Sequence, residues 1–286
     1  MSEQSAAPEQ TAPGRPIPIL LYHSVADHPS DFIAPYTVSP ATFHRHLDAI
    51  AAMGASTLTV SEMLAALAGG TLPERPVLIT FDDGYRDTLT AAVPVMADRG
   101  MTSTVYVTTG VVGGNSPGGD PMLTWSQVGE LAGLGHEIGA HSHTHPQLDT
   151  LSRTAMRREI SGSRGTLQAA TGLPVESFAY PHGYSDERVR RAVRAAGFSS
   201  ACSVKNALSS PSDPPFTLSR LMVMATTTDA ELTGWLAGRG VPIGRDDERL
   251  LTRGWRWWRR ARAVMGAAPE PWPETAGAVA ARSANP

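Results

Sequence analysis

Val77-Leu78-Ile79-Thr80-Phe81 runs directly into Asp82-Asp83-Gly84. Five consecutive apolar or β-branched residues read as a short strand buried on both faces, and the acidic pair before a glycine reads as the turn that ends it. The pattern repeats outward along the chain. Upstream, residues 17–23 (IPILLYH) form a second apolar run, followed by a helix-period segment near 40–53. Downstream, helical spacing continues to Arg99 with Gly100 as its stop. Then come 103–108 (STVYVT) with a helix near 125–133, 136–142 (HEIGAHS) with a long helix near 153–171 closed by Gly172, and 176–180 (ESFAY) with a helix near 185–196 closed by Gly197. Each parallel return between buried strands needs a crossover, so the alternation predicts an α/β fold with a mostly parallel sheet. The number of units favours a closed or nearly closed barrel, and an open sheet built to cradle phosphate would carry a glycine-rich signature that this chain lacks.

At 286 residues and 41% hydrophobic, the chain can bury one large core. The expected organisation is a disordered Pro/Ala/Glu/Gln-rich lead over 1–16, one barrel over 17–240, and an extension over 241–286. A net charge of −3 offers no basic surface to neutralise phosphates, which sets nucleic acid aside as a partner. Cys202 is the sole cysteine, so no internal disulfide forms. The N-terminus lacks the charged and apolar regions of a secretory signal, and no stretch reaches the ~18 apolar residues of a membrane span, so a cytoplasmic location is expected.

In a parallel barrel, reactive groups gather where the C-terminal ends of strands open into loops. Four such ends carry residues suited to ligation or proton transfer: His23 after IPILLY, Asp82 and Asp83 after VLITF, His141 to His145 (HSHTH) at the end of HEIGAHS, and Pro181-His182-Gly183 after ESFAY. Adjacent carboxylates repel. A cation held by one of them relieves the repulsion and leaves the other as a general base, although the pair alone also describes a solvated Asp-Asp-Gly turn. Two imidazoles four residues apart, joined by one carboxylate, make the three-ligand set of a catalytic ion with positions left for water and substrate. The plainer reading is a surface histidine cluster, and the HExxH signature of zinc proteases is absent.

Taken as a pair, Thr80-Phe81-Asp82-Asp83-Gly84 and His141-Ser142-His143-Thr144-His145 resemble the first two motifs of the NodB-like polysaccharide deacetylases, the family 4 carbohydrate esterases. The resemblance implies a distorted (β/α) barrel, Asp82 as general base, and Asp83, His141 and His145 as holders of a divalent metal, zinc first with Co, Ni or Mn as alternatives. His143 falls at a variable place in the motif and is not expected to be a ligand. The third motif departs from the best-known members: Arg-Pro-Pro-Tyr-Gly is replaced by Ala179-Tyr180-Pro181-His182-Gly183, a form similar to the subgroup that includes poly-N-acetylglucosamine deacetylases. The arginine absent there orients the base. Arg220 could supply that charge from a neighbouring strand, or be a salt-bridged barrel arginine. No histidine follows His182, so the general acid is assigned to His23 in Leu21-Tyr22-His23, as in members whose barrel is circularly permuted. A donor is needed because an amine leaves poorly as an anion. The backbone N–H of His182 is the implied oxyanion donor. Tyr180 is either a substrate residue or barrel filling, and Trp125 either stacks on a sugar or packs in the core.

The implied activity is hydrolysis of N-acetyl, or O-acetyl, groups on an amino-sugar-containing carbohydrate, either a polymer or a small biosynthetic glycoside. A catalytically silent carbohydrate-binding barrel is the alternative from another class, but such a chain would more naturally have lost Asp82 or a ligand. A two-metal phosphoesterase lacks its second carboxylate-rich set. Residues 253–262 (RGWRWWRRAR) hold five arginines and three tryptophans. They predict either a helix that packs its tryptophans on the barrel and solvates its arginines, or a segment lying on an anionic membrane surface. Residues 268–286 are expected to be mobile.

Overall fold

The computed structural model describes residues 15–244, 250–266 and 270–274, leaving most of the expected lead and of the expected mobile tail outside the described residues. The strands are β1 (Ile19–Tyr22), β2 (Ser24–Val25), β3 (Thr37–Val38), β4 (Ser56–Leu58) and β5 (Pro76–Phe81), then β6 (Thr104–Val107), β7 (Glu137–Ala140), β8 (Ser177–Ala179), β9 (Ser200–Cys202) and β10 (Leu221–Met222). The helices are α1 (Pro40–Ala52), α2 (Val60–Gly69), α3 (Val93–Ala97), α4 (Trp125–Gly133), α5 (Arg153–Thr171), α6 (Glu187–Ala195), α7 (Asp229–Leu236) and α8 (Leu250–Val264).

One parallel sheet runs in the order β10-β1-β5-β6-β7-β8-β9, with β4 pairing beside the first half of β5. The sheet curls almost into a ring. Leu218 bridges to Cys202 in β9, and three residues later the same chain pairs with β1 as β10. This is the nearly closed barrel expected from the alternation, in the distorted (β/α) form that the resemblance implies. Strands β1 and β5 are buried along their whole length, as their unbroken apolar sequences require. Alternate residues serve two cores. Ile19, Leu78, Tyr106 and Cys202 fill the interior with Val60 and Met63 of α2, whereas Leu20, Ile79, Phe81 and Phe178 pack in the layer shared with the helices.

Three departures from the sequence pattern have local causes. The helix expected up to Arg99 opens as a π turn over Thr88–Ala92 before α3, because Pro94 has no N–H to give to the preceding turn. The units β4–α2 and β9, β10 and α7 escape the pattern because their strands have only two or three residues. The third concerns α8. Trp255, Trp257 and Trp258 are 59%, 74% and 48% exposed, whereas Arg259 is buried. The expected helix, with tryptophans packed and arginines solvated, is therefore turned inside out. Acidic groups at the barrel mouth cause this: Arg259 pairs with Asp149 at 2.5 Å and Arg260 pairs with Asp186. Among the described residues no helix is long and apolar enough to cross a membrane.

Candidate active site and metal centre

Asp83, His141 and His145 follow β5 and β7, and one ligand atom from each lies within 4.8 Å of the other two. Asp83 Oδ1 is 3.5 Å from His141 Nε2 and 3.4 Å from His145 Nε2. Metal–ligand bonds of about 2.0–2.1 Å place tetrahedral ligand atoms roughly 3.3 Å apart, so this spacing suits an ion between them. The protonation pattern agrees. His141 Nδ1 donates to the carbonyl of Ala179 at 2.8 Å, which leaves its Nε2 with a lone pair facing Asp83. Burial lowers the affinity of both histidines for protons, that of His145 especially, with His141 and His182 adding repulsion there. Burial, reinforced by the charge of Asp82, pushes Asp83 well above the usual carboxylate range, and its Oδ1 is buried without a hydrogen-bond partner. Two imidazole nitrogens and a carboxylate oxygen thus converge, a donor set that fits a divalent cation.

Asp82 sits beside this cluster, with Oδ2 3.7 Å from His141 Nε2. Arg220 clamps it, Nη1 donating to Oδ1 at 2.6 Å and Nη2 to Oδ2 at 2.8 Å, from a side chain with no exposed surface. Nη1 also reaches the hydroxyl of Thr80, and Nε the carbonyl of Ser203. Burial raises the Asp82 carboxyl, but Arg220 and His141 outweigh it and hold the group below its ordinary value. The charge missing from the third motif is therefore present at Asp82, supplied by the residue just before β10.

The backbone at the site is strained. Among the described residues five non-glycines have positive φ, and four of them, Asp83, Ser142, His145 and His182, are here. Such conformations cost of order 1–3 kcal/mol each and persist where the surroundings dictate them. Glu159 of α5 is one of the residues that dictate: its carboxylate accepts from the backbone N–H groups of His143 and Thr144 and from the Thr144 hydroxyl, at 2.8–2.9 Å. His143 lies outside the ligand set, its Nδ1 2.8 Å from the Thr109 hydroxyl and its Nε2 3.3 Å from Glu274.

His23, half-buried at the end of β1, has an Nδ1 without a partner and feels the charges of Asp82, Arg220 and His141. The His182 ring stands edge-on to His145, with centroids 4.6 Å apart. Tyr180 does not join them. It is fully buried in the helix-side core and its hydroxyl donates to the carbonyl of Phe216, a placement that matches the barrel-filling alternative. Trp125 packs, half-buried, against the same core. Two contributors have no legible signal in the sequence. Glu159 looks like any acidic residue of a long helix, and Trp272 lies in the stretch expected to be mobile, yet its backbone N–H donates to the Thr144 carbonyl and its ring stacks on His145 at 4.7 Å.

Residues 69–201 match the family described as polysaccharide deacetylase. "Putative polysaccharide deacetylase YxkH" of Bacillus subtilis (strain 168) is 29% identical over 208 residues, covering 72% of this chain and 71% of that protein. The poly-beta-1,6-N-acetyl-D-glucosamine N-deacetylase of Staphylococcus epidermidis is 23% identical over 214 residues, covering 70% and 72%. Among solved structures, IcaB from Ammonifex degensii superposes with a TM-score of 0.66 at 26% identity, over 78% of this chain and 98% of that one. The curled parallel sheet, the two motifs at its mouth and these likenesses lead to one conclusion: residues 69–201 match a polysaccharide deacetylase domain, and the chain is similar to enzymes of that family over most of its length.

Proposed function

We propose that this protein is a divalent-metal-dependent hydrolase that removes N-acetyl groups from an amino-sugar-containing carbohydrate. The observation that carries the reading is the convergence of Asp83, His141 and His145 beside an arginine-clamped Asp82. Zinc suits two imidazoles and one carboxylate best, with Co, Ni and Mn also compatible. Asp83, His141 and His145 would hold a divalent ion, which would supply polarisation of an acetyl carbonyl and a more acidic water. Asp82 takes a proton from the attacking water, and Arg220 keeps it ionised for that task. The backbone N–H of His182 is the donor assigned to the developing oxyanion. His23 hands a proton to the departing nitrogen. Burial lowers His23 to about 4, so the ring is neutral at rest, and the proton it hands to the nitrogen is the one that Asp82 takes from the attacking water, which closes the balance.

The Phe178-Ala179-Tyr180-Pro181-His182-Gly183 form of the third motif, together with the likeness to a poly-N-acetylglucosamine deacetylase, supports N-acetylglucosamine units as the substrate class. The place of His23 just past a first strand lying between β10 and β5 supports the permuted arrangement of the barrel. The test is acetate release from N-acetylglucosamine oligomers and from O-acetylated glycosides, with zinc or cobalt added. Metal-dependent release from the N-acetyl oligomers is expected. A metal-loaded protein that frees acetate from neither class contradicts the proposal.

A further inference from the structure

A helix docked on a soluble barrel ordinarily buries its apolar stripe and solvates its charges. In α8 the arrangement is reversed. The face toward the barrel is ionic: Arg259 and Arg260 reach Asp149 and Asp186, Arg260 Nε donates to the Asp149 carbonyl at 3.0 Å, and the Arg259 guanidinium lies 3.7 Å over the ring of Tyr184. The outward face carries Trp255, Trp257 and Trp258, with Val264 and Met265 at 90% and 73% exposure beyond them. With 100° between successive residues, Trp257, Trp258 and Met265 fall on the half of the helix opposite Arg259 and Arg260, with Trp255 and Val264 on its two flanks. Arg262 shares that half, its guanidinium 4.7 Å from the Trp258 ring. No acidic residue occurs between Leu250 and Gly266.

We infer that α8 is a membrane-docking surface whose partner is an anionic lipid bilayer. Tryptophans with arginine at their margin and an aliphatic end match the headgroup boundary, where indole rings settle and guanidinium groups meet phosphates. A sugar chain fits this face less well. Trp255 and Trp258 meet at 89°, so they offer no common plane, and Arg262 covers a face of the Trp258 ring that a pyranose would need. The inward ion pairs fix the orientation. Tyr184, held under Arg259, stacks against His182, with centroids 5.7 Å apart, so docking through α8 brings the catalytic mouth to the lipid surface.

The experiment is flotation of the full-length protein with phosphatidylcholine vesicles prepared with and without phosphatidylglycerol. It compares the wild type with Trp257→Ser and with the triple variant Trp255→Ser/Trp257→Ser/Trp258→Ser. These side chains are exposed, so the melting temperature of each variant should match that of the wild type. The wild type should float with the anionic vesicles, less so as salt is raised, and the triple variant should lose about tenfold in affinity with the single variant between. A wild type that stays in solution, or a triple variant that floats equally well, overturns the inference. So does light scattering that shows a lipid-free dimer which the triple variant breaks, since the face would then belong to a second copy. A raised KM for a soluble N-acetylglucosamine oligomer, with vesicle binding unchanged, would assign the face to sugar and also overturn it.

Discussion

Arg220 meets both oxygens of Asp82 with no surface exposed to water, so removing either partner strands a charge inside the barrel. Arg220→Met should cost about 3–5 kcal/mol, read as a lower urea midpoint in chelator-treated protein. The pH dependence has a definite sign. Asp82 titrates below its unfolded value of roughly 3.9 in the native protein, so its contribution is complete above that value and disappears as pH falls through the folded one. The gap between wild type and variant should therefore narrow in acid. Tyr180 offers the opposite expectation: Tyr180→Phe forfeits one hydrogen bond, to Phe216, at about 1 kcal/mol, and leaves turnover unchanged. A large fall in kcat would return Tyr180 to the site. The adjacent motifs Asp82-Asp83 and His141 to His145 are legible because their partners sit within a few residues, whereas Arg220 and Asp82 are 138 positions apart and meet only once the sheet has curled.

At the level of elements, the HSHTH segment keeps its shape because α5 lies beneath it. Three of its donors converge on Glu159, which stands 15 and 16 residues away along the chain. Glu159→Gln keeps the volume but removes the charge and puts a donor where acceptors are needed. Metal affinity should fall about 10–100-fold, as is typical when groups that orient ligands are lost. Competition with a chelator measures this, and an unchanged affinity would show that the strained turn holds itself. The long apolar runs of β1, β5 and β6 could be read in the sequence because each is buried on both faces. Strands β4, β9 and β10 are too short for any period to register, and the polarity of α8 follows from Asp149 and Asp186, which belong to distant segments.

On the scale of the whole molecule, the sheet brings four separate strand ends to one mouth, and each function proposed here depends on that closure. The segment 218–222 completes the ring and delivers Arg220, so the fold and the charge state of Asp82 share one cause. The alternation of strands and helices anticipates this architecture. It gives no hint that Trp272 would settle against His145, because a tryptophan between two prolines carries no period at all. The most direct measurement is bound metal and acetate release determined together for wild type, Asp82→Asn and His141→Ala, on N-acetylglucosamine oligomers. Asp82→Asn should retain the metal and lose about 10²–10⁴-fold in turnover, whereas His141→Ala should lose both. Full turnover in Asp82→Asn, or undiminished metal in His141→Ala, would contradict these assignments.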